Sequence, residues 1–73
     1  MKNKYTETIV EALILKAESE KEVAMANVAI YLNNPAGIGE HPGILEAVEE
    51  QIEKIAEAND KIDALREVWR IYS

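Results

Sequence analysis

Seventy-three residues with no cysteine and a single histidine make one small domain at most, without disulfides, thiolate metal sites or a protein-only zinc site. A net charge of −6 argues against nucleic acid and anionic membrane surfaces, both of which call for clustered Lys and Arg. A core of this size rarely supplies more than about 3–5 kcal/mol unaided, which leaves oligomerisation as the available staple.

The longest uninterrupted apolar run, Val28 to Leu32, is far too short to span a bilayer. Glu7 and Glu11 break the apolar region that a signal peptide would need after Lys2 and Lys4. The expected setting is cytoplasmic, with no membrane partner.

Met1 to Tyr5 is expected to fray. Thr6 suits an N-cap, with Tyr5 before it and Val10 at the fourth helical position as a hydrophobic staple. From there to Asn33 strong helix formers predominate, about 28 residues or about 42 Å of helix. Asn34 precedes Pro35 and is biased out of the α region, so the helix stops near Asn33. Ile9, Val10, Leu13 and Ile14 form one apolar patch, widened by Ala12 and Leu15. Val23 to Leu32 forms a second, broken only by Asn27, and Glu18 to Glu22 separates the two with a band polar on every face. Apolar residues spread this widely imply burial on more than one side.

The second helix spans about residues 42 to 71. Pro42 suits its first position, where a missing N–H costs nothing. Glutamates crowd its N-terminal half and Arg66 and Arg70 its C-terminal end, as the helix dipole prefers. Glu50 with Lys54 and Glu57 with Lys61 are favourable pairs one turn apart. An apolar stripe reads Leu45, Val48, Ile52, Ile55, Asn59, Ile62, Leu65, Trp69 and Tyr72. Steps of three and four alternate as far as Ile62, where a second consecutive step of three shifts the phase, as in a stammer.

Two helices of similar length joined by a short loop fold back antiparallel. The expected fold is all-α: one hairpin domain, 1–73, pairing with a second copy into a four-helix bundle. Joining Asn33 to Pro42 sets Ile30 opposite Leu45, Val23 opposite Ile52, Leu13 opposite Ile62 and Thr6 opposite Trp69. It also brings Asn59 opposite Lys16, near Glu20, as a polar layer that fixes register.

Candidate interface residues are Ile9, Leu13, Met25, Val28, Leu32, Trp69 and Tyr72, with Tyr5 joining the last two in an aromatic group at the open end. The glutamates Glu46, Glu49, Glu50, Glu53 and Glu57 avoid the apolar stripe. None of them has His three residues later, as di-iron bundles require, so they read as a solvated face. No cofactor, metal or catalytic residue is expected.

All three glycines, both prolines and the histidine lie between Asn33 and Gly43. An ordered loop is expected over 34–41, packed by Ile38 between the helix ends. Its contact candidates are Gly37, Gly39, Glu40 and His41, through backbone amides at a helix start and a titratable imidazole. The spacing matches no phosphate-binding fingerprint. The segment Asn34-Pro35 with Gly37-Ile38-Gly39-Glu40-His41-Pro42, followed by an acidic helix, resembles short helical proteins encoded by tailed phages of marine cyanobacteria. The resemblance implies a viral or marine setting, hence the cytoplasm of a host cell, and carries over no catalytic residue. The leading expectation is a non-catalytic interaction protein acting through self-association, a dimer by preference, and through binding an unidentified protein. The alternative is a small-molecule or anion binder, or an enzyme accessory, working through the loop from Gly37 to His41.

Overall fold

The computed structural model describes residues 4–33 and 43–72. They form two helices, α1 (Lys4–Asn33) and α2 (Gly43–Tyr72), packed antiparallel along their length. The all-α hairpin is therefore as expected. A radius of gyration of 16.4 Å and extents of 54 × 14 × 12 Å describe a rod. A compact chain of this length would have a radius of about 11 Å.

The helix starts differ slightly from expectation. Lys4 and Tyr5 are helical rather than frayed, and Thr6 lies inside the first turns instead of capping them. Thr8 Oγ1 donates to the Lys4 carbonyl at 3.0 Å, the short-range bond that a threonine makes within a helix. At the other end α1 stops at Asn33, as the following Asn34-Pro35 requires. The Asn33 side chain turns back to donate to the Ala29 carbonyl at 2.8 Å.

The seam between the helices is narrow and regular. On α1 it comprises Val10, Ile14, Ala17, Lys21, Ala24, Val28 and Tyr31, and on α2 Ile44, Val48, Gln51, Ile55, Ala58, Ile62, Leu65 and Trp69. Both lists alternate steps of three and four without interruption, the signature of coiled-coil packing. The most deeply buried positions hold small residues: Ala24 is 1 % exposed and Ala17 and Ala58 2 % each. Alanine there lets the backbones approach closely, since interaxial distance within the usual range of about 8–10 Å follows the size of the contacting side chains. The cost is a thin core. Among the described residues no large side chain is fully enclosed.

This seam corrects the expected stripe on α2. Val48, Ile55, Ile62, Leu65 and Trp69 belong to it, but Leu45, Ile52, Asn59 and Tyr72 do not. Leu45 is 74 % exposed and Ile52 50 %, while their neighbours Ile44 and Gln51 turn inward. The expected pairings of Ile30 with Leu45 and of Val23 with Ile52 fail for the same reason, because all four side chains face outward. Leu13 is likewise exposed, so it does not meet Ile62 across the seam.

Candidate functional site

A polar step crosses the seam. The Asn27 Nδ2 group donates to Gln51 Oε1 at 3.2 Å, and Gln51, only 6 % exposed, is the buried polar residue among the described residues. The expected register put Asn27 level with Val48; the structure brings it to Gln51, three residues further along α2. The shifted register buries Ala17 and Ala24 on α1 and Ala58 and Ile62 on α2, small side chains for the most part. The bulky Leu45, Ile52 and Leu13 would hold the helices apart if they occupied the seam.

The expected polar layer of Asn59 with Lys16 does not form. Lys16 lies in an open groove with Leu13, Glu20, Lys61 and Leu65, whereas Asn59 lies in another with Glu18, Lys21, Glu22 and Asp63. The two residues sit on opposite sides of the hairpin, both exposed. Glu20 is instead bridged to Lys61 across the helices at 3.7 Å, and Lys61 also holds Glu57 on its own helix at 3.3 Å. The Lys54–Glu50 pair forms at 3.7 Å, as the spacing predicted. The hydrogen bond to Glu57, then attraction from Glu20 and Glu57, raises the Lys61 pKa above its ordinary value, against a smaller opposing effect of burial.

The grooves define two sides. On the Lys16 side α1 presents Ile9, Leu13, Lys16, Glu20, Val23 and Ile30, and α2 presents Lys54, Glu57, Lys61 and Ala64. On the Asn59 side, heptad spacing from Glu18 carries to Met25 and Leu32. The same spacing back from Asn59 gives Ile52 and Leu45, so these four exposed residues share the loop end of that side.

The candidate interface residues therefore divide. Ile9, Leu13, Met25, Leu32 and Tyr72 remain exposed, whereas Val28 and Trp69 are half-buried in the seam of the hairpin itself. Trp69 lines a shallow groove with Glu7, Val10, Glu11 and Ile14 near the start of α1. Tyr5 and Tyr72 stay largely exposed. The loop candidates Gly37, Gly39, Glu40 and His41, with Ile38, Pro35 and Pro42, lie outside the described residues.

Among the described residues no three or more His, Asp or Glu side chains are gathered as ligands to a metal would be. No described helix is long and apolar enough to cross a membrane. Comparison with protein families, curated proteins and solved structures found no match.

Gln51, Asn27 and the Glu20–Lys61 bridge are the features that the sequence reading missed. A signal was present. The stripe through Ile44, Gln51 and Ala58 keeps one phase from Ile44 to Trp69, whereas the apolar stripe through Leu45 and Ile52 needs a stammer.

Proposed function

We propose that this chain is a small, non-catalytic helical interaction protein that works by self-association and by binding another protein. One observation carries the reading. Among the described residues thirteen large hydrophobic side chains stay exposed, on a hairpin whose most deeply buried seam positions are alanines. Extended apolar surface of this kind on a soluble fold marks an interaction site. Covering it would also supply the burial that the thin seam lacks.

The two sides fit the two halves of the proposal. The Lys16 side runs the length of α1 and suits a second copy. The Met25, Leu32, Leu45 and Ile52 group is compact and suits a separate protein partner. The loop's resemblance adds a viral setting, inside a host cell, to the same proposal.

Sedimentation equilibrium tests it. A reversible monomer–oligomer equilibrium at micromolar concentration is expected, with an apolar dye still binding the oligomer through the Met25 group. A folded monomer that binds no dye at any concentration would contradict it.

A further inference from the structure

We propose that the Lys16 side of α1 is an antiparallel self-pairing seam. A second copy of this chain lays its own α1 there, about a twofold axis between Lys16 and Glu20. The proposal rests on the self-association reading above and names its surface, register and occupant.

Sequence spacing supplies the surface. Ile9, Leu13, Lys16, Glu20, Val23, Asn27 and Ile30 alternate steps of four and three, a second complete heptad stripe. Each of these residues comes one position before a residue of the seam facing α2. The second stripe therefore lies about 100° round the helix from the first. A helix in a four-helix bundle touches two neighbours and needs two such stripes. On α2 the corresponding positions are charged through the middle (Glu50, Lys54, Glu57 and Lys61) and mostly small beyond it (Gly43, Ala47, Ala64 and Val68), so α1 carries more large apolar side chains for a second contact.

Charge selects the occupant and its direction. In the antiparallel register that sets Leu13 against Val23 of the second copy, Lys16 meets Glu20. Twofold symmetry makes the reciprocal pair at once. A shift of one heptad one way sets Glu20 against Val23, and the other way sets Leu13 against Lys16. A parallel pairing sets Lys16 against Lys16 and Glu20 against Glu20. Of these only the first sets Leu13 against Val23 and Lys16 against Glu20 together, with Ile9 meeting Asn27 at the edge of the pairing. Lys16 forms no ion pair among the described residues, so its ammonium is available. The bridge from Glu20 to Lys61 brings Glu57 and Lys61 of α2 to the same height, again with opposite charges one turn apart.

The area agrees. The chain exposes 5629 Å² at 8.2 kDa. A compact monomer of that mass exposes about 4500 Å². The surplus, roughly 1100 Å², is spread over all faces of the rod and leaves room for the about 800 Å² that one partner contributes to a standard interface.

Reciprocal charge reversal tests the seam. Lys16→Glu and Glu20→Lys are made separately, circular dichroism confirms that each remains helical, and each is sedimented alone and as an equimolar mixture. Wild type is expected to dimerise, and each variant to self-associate at least about tenfold more weakly, because its charges repel across the axis. The mixture is expected to recover the dimer, since both cross-axis pairs are then opposite in sign. A wild-type monomer throughout would overturn this seam and the self-association reading together. A wild-type dimer whose variants associate unchanged would overturn the seam and leave self-association through another face. Weakened variants that the mixture fails to rescue would overturn the antiparallel register.

Discussion

The Asn27 amide donates to the Gln51 side chain at 3.2 Å, a hydrogen bond that joins the two helices across their seam. Gln51 is buried, so removing its partner leaves an amide without compensation. Asn27→Ala is expected to destabilise the hairpin by about 1–3 kcal/mol. Asn27→Leu combined with Gln51→Leu should cost less than either change alone, or raise stability, while weakening the specification of register. A urea-denaturation double-mutant cycle measures both effects. Additive losses would show that the two amides act independently.

Ala24 and Ala58 occupy the tightest part of the seam. Ala24→Leu or Ala58→Leu forces the backbones apart and is expected to cost about 1–3 kcal/mol, far more than the slight loss of helix propensity accounts for. Thermal melting by circular dichroism checks this. A variant at least as stable as wild type would mean that the helices are not closely packed at these positions.

Ile52 and Asn59 give the reciprocal test, because an alternative seam would bury both. Each is exposed. Asn59→Leu is therefore expected to shift hairpin stability by no more than about 0.5 kcal/mol, as is usual for a surface substitution. A large stabilisation would place Asn59 inside the seam, and with it the rejected register.

Lys61 sits between Glu20 and Glu57, and both favour its ammonium form in the folded chain. Its folded pKa is raised, so the stability it contributes is complete below the ordinary lysine value of 10.5 and is lost as pH rises through the folded value. Solvent screens the group, so the effect on unfolding is small and the titration itself is the better readout. An NMR titration of the Lys61 ammonium should give a midpoint above that of a reference lysine. Glu57→Gln should lower it. A midpoint at the reference value would contradict the bridge.

The hairpin was legible because Gly and Pro are confined to one stretch and both flanks are rich in helix formers. The end of α1 was legible from Pro35. The seam was not, because two neighbouring stripes on α2 share five positions and differ at Leu45 or Ile44, Ile52 or Gln51, and Asn59 or Ala58. Hydrophobicity does not separate Leu45 from Ile44 and favours Ile52 over Gln51. Close packing favours the second member of each pair, since Ala58 meets α1 with little bulk and Gln51 finds an amide in Asn27. The same choice moved the register by three residues and separated Lys16 from Asn59. On α1 the breadth of apolar sequence was correctly read as more than one helix could cover. Which part lay inside depended on the partner helix, and one helix's sequence does not encode that alone.

The central claim is that a thin, alanine-lined hairpin relies on a second copy to cover the outer side of α1. Thermal unfolding followed across a wide range of protein concentration tests it most directly, because a dimer that unfolds to separated chains is stabilised by mass action. The account predicts a midpoint that climbs steadily with concentration for wild type. For Lys16→Glu alone it predicts a lower, flatter response, recovered on mixing with Glu20→Lys. A cooperative transition at one midpoint, independent of concentration, would contradict it.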